Sequence, residues 1–388
     1  MILHLFKMIM NRKKQHFFLL LQLFVTFTAL FLCLGLNLKK FSNYFQPLGY
    51  RYEDAWVLEL DFQNISEEKK SVYSDLIKDK LQSIKEIELV SATKIVPFQQ
   101  WGTSEKITYH KQTSNALGFE VDEHYPNVLD MKLVDGRWFK ASDYVLNTIP
   151  VVLTKDLAER DFKNESPVGK TILIGDKPAL IIGVSENFRE NTSANLSPGF
   201  FFPLQTTATK YLLKSKSADN FQLLEDKIRK AINPVGNTEI LIKQNISLTL
   251  IQKFAQKTDY IQLGVTLIVF SFLLINVFLG VSGVFSYNLS KRKAEVALRV
   301  IMGASPAAIL KQFLGESMVL TTLGILPGVL IAAQLLIMQY LEPYTDGYYG
   351  AISIGCAALF IYILMLSCAF YPSLKAARLN PSDALHEE

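Results

Sequence analysis

The sequence predicts a membrane α-helical protein with four transmembrane helices and a large α+β domain between the first two helices. Hydrophobic residues make up 49% of the 388 residues, and the mean hydropathy is +0.20, which soluble globular chains rarely reach. The apolar residues are concentrated in four uncharged runs, and a long neutral segment separates the first run from the second.

Each of the four uncharged runs is long enough to cross a bilayer core, which needs about 20 apolar residues in a helix. Buried helices of a soluble protein are the alternative, but these usually carry a polar stripe, whereas the four runs are apolar on all sides. We therefore expect transmembrane helices at residues 17–38, 260–289, 317–341 and 347–374.

The positions of Lys and Arg predict how the four helices are oriented, because cytoplasmic loops carry an excess of both. Four basic residues precede the first run, five lie between the second and third, and two follow the fourth. The loop 342–346 has two acidic residues and no basic one, and segment 39–259 has 29 of each sign. We therefore expect both termini to be cytoplasmic and the large domain to lie on the outer side of the membrane.

The first residues admit two interpretations. A cleavable secretory signal would have an apolar core of about 7 to 15 residues and a small-x-small cleavage site, and neither condition is met well. The stretch 1–16 instead places His4, Lys7, Asn11 and Lys14 on one helical stripe among apolar residues. This pattern predicts a cytoplasmic amphipathic helix that lies along the membrane surface.

The large segment 39–259 is bracketed by two β-α-β patterns. WVLELD, an amphipathic segment and IELVSATKIV form the first, and KYLLKS, a second amphipathic segment and TEILIKQ form the other. We expect one mixed α/β subdomain from about 52–98 and 205–245. Between them, strand-like pieces such as TIPVVLT, KTILIG and ALIIGVS predict a β-rich insert at about 99–204. Segment 246–259 predicts a stalk helix that continues into the second membrane helix.

No motif predicts a catalytic or metal site. SPVGKT resembles the end of a phosphate-binding loop, but Asn164 stands where that motif needs glycine. The five histidines lack metal-ligand spacing, and all three cysteines lie in apolar runs. The net charge of +4 is too small to suggest nucleic acid. We expect a chain with no catalytic residue, cofactor or metal of its own.

The cytoplasmic loop 290–316 is the most specific part of the sequence. Gly303 suits the end of a helix, Ser305 an N-cap and Pro306 the first position of the next helix. An ordinary loop anchored by positive charge is the alternative that spacing alone leaves open. Three residues at i, i+3 and i+7 form a charged face on the short helix before the turn: Arg292, Glu295 and Arg299.

The pattern E-x-x-x-R-x-x-x-G-A, made by Glu295, Arg299, Gly303 and Ala304, resembles the hallmark of the FtsX-like permease family and its MacB-type branch. The tail YPSLKAARLNPSDALHEE resembles that family's ending. LVDGRWF and SPVGKTILIGDKPALIIGV are similar to the periplasmic core domain of MacB-type permeases. The resemblance covers nearly the whole chain, and it implies that the mixed subdomain is the family's Porter and the insert its Sabre.

The resemblance implies a non-catalytic permease that dimerises with a second copy or a paralogue and docks on two copies of an ABC ATPase subunit. That partner would bind ATP and Mg, and the elbow of Arg292, Glu295, Arg299, Gly303 and Ala304 would couple the two chains. No ATPase domain precedes the first run, so a separate ATPase is expected. ATP-driven motion along the stalk would serve export or envelope mechanotransmission, and the cargo would be a peptide, lipoprotein, toxin or drug. A periplasmic or outer-membrane partner is a further expectation.

Two other functions stay open from the sequence. A regulator of a cell-wall hydrolase, like FtsX itself, would share the layout but usually has a smaller outer domain. A membrane receptor or sensor without an ATPase would share only the arrangement of helices. The elbow motif favours the ABC permease over the receptor.

Gly324 and Gly328 in the third run have the small-x-x-x-small spacing that allows two helices to approach closely. Pro327 lies between them and predicts a kink. Packing within the chain and contact with a second chain are both compatible with this spacing.

Overall fold

The computed structural model describes residues 13–377 except 64, 100–101, 111, 146–147, 164, 217–220, 237–239, 292–295, 297, 300 and 342–344. The amphipathic helix expected over 1–16 lies outside the described residues except for its last turn, and so does most of the expected cytoplasmic tail. The chain divides into a helical unit, made of the part up to Ser42 and the part from Ile261 onward, and an α/β unit, Asn43–Tyr260.

Among the described residues, the elements with defined bounds are nineteen helices and strands and a short 3-10 helix, Ala141–Val145. In chain order they are α1 (Lys13–Tyr44), β1 (Ala55–Phe62), α2 (Glu67–Gln82), β2 (Ile87–Thr93), β3 (Thr103–Tyr109), β4 (Gln112–Val121), α3 (Tyr125–Val128), β5 (Leu133–Gly136), β6 (Ile149–Thr154), α4 (Lys155–Phe162), β7 (Thr171–Ile174), β8 (Lys177–Ser185), β9 (Gly199–Pro203), β10 (Lys210–Ser215), α5 (Phe221–Gly236), β11 (Ile240–Ser247), α6 (Leu248–Ser290), α7 (Pro306–Ile337) and α8 (Gly347–Ala377).

Among the described residues, four helices are long and apolar enough to cross a membrane, namely α1, α6, α7 and α8. This confirms the predicted fold class of four such helices around an intervening α/β domain. Leu23 and Phe27 of α1 are fully buried in the helical unit's core, together with Val281 of α6 and Met365 of α8. Helices α1, α6 and α8 extend beyond their uncharged runs, whereas α7 begins earlier than its run, at Pro306, and ends earlier, at Ile337. Caps and turns, not the last apolar residue, determine where a helix ends.

The two β-α-β patterns share one antiparallel sheet in the order β11-β1-β10-β2. The strands of each pattern are thus separated by a strand of the other, which is the ferredoxin-like split β-α-β arrangement. Helices α2 and α5 pack on this sheet through a core that includes Leu58, Ile77 and Ile228, all fully buried. The predicted mixed α/β subdomain is confirmed.

Strand β2 is shorter than the pattern IELVSATKIV predicts, since it ends at Thr93. The Thr93 hydroxyl donates to the carbonyl oxygen of Ile95 and accepts from the Ile95 N–H, both at 2.9 Å. A threonine side chain that satisfies nearby backbone groups competes with the strand ladder and turns the chain.

The predicted β-rich insert is also confirmed, and its strands close into a ring. The pairing runs β4-β3-β7-β8-β6-β9, and β9 pairs in parallel with β4 to complete the circle. Closure removes free edges and encloses a small core. Phe200 and Phe201 on β9 are both fully buried but lie in separate apolar clusters, because successive strand residues point to opposite faces.

Candidate functional site

The turn between α6 and α7 contains the elbow residues that the sequence singled out. Arg292 and Glu295 lie outside the described residues, so their roles stay predictions. Arg299 is helical and half-buried. Gly303 has a φ of +94°, in the left-handed region that favours glycine, and a Cβ built there would meet no atom within 4 Å. Glycine is therefore needed for the backbone conformation and not for space.

The elbow is closed on both sides by caps. The N–H of Ala304 donates to the carbonyl oxygen of Arg299 at 2.9 Å, which terminates the helix that precedes the turn. The side chain of Ser305 accepts from the N–H of Ala308 at 3.3 Å, and Pro306 occupies the start of α7. These bonds satisfy backbone groups that a helix end leaves unpaired, and so they define where the chain turns.

A chain of polar side chains connects the elbow to α7. Nη1 of Arg299 donates to Oε1 of Gln312, and Nε2 of Gln312 donates to Oε1 of Glu316 at 3.2 Å. Glu316 is only 8% exposed and lies on the same buried face of α7 as Ile309 and Phe313. We call Arg299, Gln312 and Glu316 the elbow chain.

Three large apolar side chains of the elbow are exposed instead of packed. Leu298 is 57% exposed, Ile301 56% and Met302 71%, whereas Val296 is buried. Groups of exposed large apolar side chains are typical of surfaces that another molecule covers. We call Leu298, Ile301 and Met302 the elbow surface.

Gly324 and Gly328 both lie against α1 of the same chain. A Cβ added at Gly324 would come within 2.8 Å of the Cβ of Leu23, and one at Gly328 within 2.6 Å of Cδ1 of Phe27. Real Cβ atoms do not approach other atoms this closely, so each glycine allows α7 to contact α1. The structure thus places both residues in a helix contact within the helical unit.

The α/β unit contains a second candidate site, where the chain enters it. Arg189 is 3% exposed, and its guanidinium donates to the carbonyl oxygens of Asn43 at 2.7 Å and Ala194 at 3.0 Å. The Asn43 amide in turn donates to Oδ1 of Asn195 at 3.0 Å. We call these four residues the Arg189 clasp. It fastens the loop 187–198 to the entry point of the unit.

The segment by which the chain leaves the α/β unit contacts both the entry segment and the loop 187–198. The hydroxyls of Tyr44 and Tyr260 lie 3.1 Å apart, and the Gln256 amide lies 3.5 Å from the Tyr44 hydroxyl and 3.4 Å from that of Thr192. The sequence reasoning missed these residues, because ENFRENTSAN carries no motif and Tyr44 and Tyr260 are far apart in sequence. The one available signal was an arginine in a segment otherwise rich in Asn and Ser.

A buried carboxyl group lies next to the clasp. Glu190 is 8% exposed, and neither of its carboxyl oxygens has a hydrogen-bond partner within the part of the chain that the structure describes. Burial raises the pKa of Glu190 to about 8. Burial, together with the charge of Glu190, also raises the pKa of Tyr50 and of Tyr125, whose hydroxyls lie in the same core. Glu190 is therefore mostly protonated at neutral pH.

The loop 187–198 links the clasp to a shallow groove on the β-rich insert. The N–H of Leu117 donates to the carbonyl oxygen of Pro198 at 2.9 Å, which pairs the end of the loop with β4. The groove has a volume of about 300 Å³ and an uncharged lining: Ser104, Asn115, Ala116, Leu117, Leu196, Ser197 and Pro198. Across the described residues, His, Cys, Asp and Glu form no cluster of three or more that could hold a metal.

Two family models match most of the chain. The model described as MacB-like periplasmic core domain matches residues 30–231, and the model described as FtsX-like permease C-terminal matches residues 267–381. The first match covers the α/β unit up to α5. The second covers the elbow, the elbow chain and the two glycines.

Curated relatives agree with these matches. The macrolide export ATP-binding/permease protein MacB of Pasteurella multocida (strain Pm70) is 28% identical over 300 residues, which are 73% of this chain and 44% of that protein. The uncharacterized ABC transporter permease YknZ of Bacillus subtilis (strain 168) is 25% identical over 311 residues, 74% of this chain and 73% of the relative. The chain spans about half the length of the MacB relatives that it matches.

Two solved structures are similar to part of the chain. The periplasmic region of MacB from Actinobacillus actinomycetemcomitans has a TM-score of 0.38 and 16% identity, over 52% of this chain and 92% of that one. The extracellular domain of the noncanonic ABC-type transporter YknZ from Gram-positive bacteria has a TM-score of 0.36 and 18% identity, over 48% of this chain and all of that one.

Proposed function

This chain belongs to the MacB/FtsX-like family of ABC transporter permeases, and from that premise we propose that it couples ATP hydrolysis by a separate ATPase to movement of its α/β unit. The chain itself would be non-catalytic. ATP and Mg would be bound by the partner chain, in two copies, and the permease would pair with a second copy or a paralogue. The helices would cross the bacterial inner membrane with both termini in the cytoplasm and the α/β unit in the periplasm.

The observation that carries this proposal is the elbow surface. Leu298, Ile301 and Met302 are all exposed, within five residues of one another, at the turn between two candidate membrane helices. Next to them, Arg299 is bonded to Gln312 of α7, so force on the elbow surface would reach a membrane helix directly. An ABC ATPase that covers the elbow surface would explain both features.

Movement has a covalent route into the α/β unit. Helix α6 is unbroken from Leu248 to Ser290, and its beginning lies in the α/β unit while its remainder lies in the helical unit. Leu248 and Ile251 are buried in the core of the α/β unit. A displacement of α6 would therefore displace side chains of that core.

Two classes of cargo are candidates for this chain. Relatives named for macrolide export make a drug-sized molecule one candidate, and a peptide, lipoprotein or toxin is the other class that a periplasmic domain would handle. The uncharged groove next to the loop 187–198 is the place in the α/β unit where we would expect an apolar part of such a cargo to bind.

Copurification tests the proposal. The full chain, tagged and extracted from its native membrane in mild detergent, should bring down an ATP-binding subunit whose hydrolysis rate rises in the complex. Recovery of a cell-wall hydrolase together with that subunit would redirect the function to hydrolase regulation. Recovery of the chain without any ATPase, after crosslinking in the membrane, would overturn the proposal in favour of a receptor.

A further inference from the structure

The elbow chain contains a buried carboxyl group, that of Glu316. Glu316 lies within α7, a candidate membrane helix, and is 8% exposed among buried residues such as Ile309 and Phe313. A carboxylate in such surroundings is costly unless its oxygens accept hydrogen bonds. Glu316 accepts from the amide of Gln312 at 3.2 Å.

The chemistry of the three side chains allows one order of donors and acceptors. Arginine only donates and a carboxylate only accepts, whereas an amide does both from opposite ends. The Gln312 amide between them must therefore direct its oxygen to Arg299 and its nitrogen to Glu316. Reversing the amide would place two donors against each other at one end and two acceptors at the other.

We propose that Glu316 is a positioning residue for ATPase coupling, because it holds the Gln312 amide in the orientation that presents Oε1 to Arg299. The elbow and α7 then move together as one rigid body. This inference rests on the proposed function, because only that function makes motion of the elbow part of ATPase coupling. The order of the bonds is independent of that function.

Three variants test the chain of bonds. Glu316→Gln removes the charge that orients the amide and keeps the size of the side chain. Gln312→Glu places two carboxylates one helical turn apart, where they repel. The double variant Gln312→Glu with Glu316→Gln restores an alternating order, since residue 312 then accepts from both Arg299 and the new amide. Glu68→Gln, on the exposed face of α2, is the matched control.

The first measurement is hydrogen exchange of the full chain in lipid nanodiscs. The amides of Met302 and Ala304, which bond to the carbonyl oxygens of Leu298 and Arg299, should exchange about tenfold faster in Glu316→Gln, the factor expected for losing a hydrogen bond to a charged group. In the double variant the exchange rate should return toward that of the native chain, and in Glu68→Gln it should equal that of the native chain. Native exchange at the elbow in Glu316→Gln would overturn the inference.

The second measurement is the ATPase rate of the copurified complex. Glu316→Gln should lower the stimulated kcat several-fold and leave the KM for ATP unchanged, because ATP is bound by the partner chain, and the double variant should recover much of the kcat. Faster exchange at the elbow with native stimulation would overturn the coupling role. If the native chain stimulates no ATPase, the proposed function is wrong. If the native chain stimulates the ATPase and Glu316→Gln stimulates it equally well, the proposed function stands and the role of Glu316 is wrong.

Discussion

The buried guanidinium of Arg189 donates a hydrogen bond of 2.7 Å to the backbone carbonyl oxygen of Asn43, the residue with which the chain enters the α/β unit. A cation that is 3% exposed is stable there because carbonyl oxygens replace the water it has lost. The bond fastens the loop 187–198 to the entry point, while Gln256 and Tyr260 reach the same region from α6. The entry and exit of the unit are thus joined by side chains.

Replacing Arg189 by Met should destabilise the α/β unit. The change removes two hydrogen bonds from a charged group, each worth about 1.5–3 kcal/mol, and leaves two carbonyl oxygens without their donor. We expect the melting temperature to fall by about 6–24 °C, because each kcal/mol lowers it by about 2–4 °C in a unit of this size. All three tryptophans of the chain lie in this unit, so their fluorescence in the full-length protein reports its unfolding.

Arg189→Lys should have an intermediate effect, since an ammonium keeps the charge but not the fork that reaches two carbonyl oxygens. A melting temperature for Arg189→Met equal to that of the native chain would show that the clasp does not stabilise the unit.

Glu190 should make the stability of the α/β unit depend on pH. Its pKa is about 8 in the folded chain against an ordinary value of 4.5, so the folded state holds a proton that the unfolded state has released. Stability should therefore fall as pH rises from about 4.5 to about 8 and become level above that. Glu190→Gln cannot lose a proton, and its advantage in melting temperature over the native chain should grow across this window.

Glu186→Gln is the matched control, because Glu186 is exposed and lies four residues upstream. Its melting temperature should follow the native chain at each pH. An advantage of Glu190→Gln that stays constant between pH 5 and 8.5 would contradict the assignment.

Gly328→Ala should loosen the contact between α7 and α1. The added Cβ would lie 2.6 Å from Cδ1 of Phe27, whose fully buried ring has little room to move. Overpacking of this kind costs about 1–3 kcal/mol. A thiol-reactive dye should reach Cys368, which is buried in the helical unit, at a lower temperature than in the native chain.

Gly355→Ala offers the opposite case within α8, where an added Cβ meets no atom within 4 Å. Alanine is the better helix former, so this variant should be as stable as the native chain or more so. Equal behaviour of the two variants would indicate that the contact between α7 and α1 does not limit stability.

Arg299→Glu should uncouple the permease from its ATPase without preventing membrane insertion. The reversed charge would place a carboxylate against the acceptor end of Gln312 and near Glu316, which breaks the elbow chain. Stimulation of the copurified ATPase should drop by about tenfold.

Lys311→Glu changes the charge of the same loop by the same amount at an exposed position of α7, so it controls for effects on topology. Both variants should reach the membrane in native amounts. Full stimulation of the ATPase by Arg299→Glu would rule out a coupling role for this residue.

Much of the fold was predictable because the relevant signals are local. An uncharged run is long enough to cross a bilayer whatever surrounds it, and Gly303, Ser305 and Pro306 each act on the backbone beside them. The β-α-β patterns were visible in the same way, since apolar spacing distinguishes helix from strand over a few residues.

The elements that were missed depend on partners far away in sequence. The hairpin of β3 and β4 is polar on much of its surface, and GFFFP in β9 is too short to identify by alternation. Closure of the insert depends on the parallel pairing of β9 with β4, which no spacing within either strand records. The elbow motif likewise predicted a charged face but not that Arg299 bonds to Gln312.

The sequence by itself determined that this chain has four apolar helices, two β-α-β patterns and a capped turn before α7, because hydrophobic length, periodicity and capping act between neighbours. The tertiary structure decided which polar side chains are buried together. Arg189 reaches Asn43, and Arg299 reaches Gln312, only after the chain has packed, since hydrogen-bond partners on different elements depend on topology and not on local spacing.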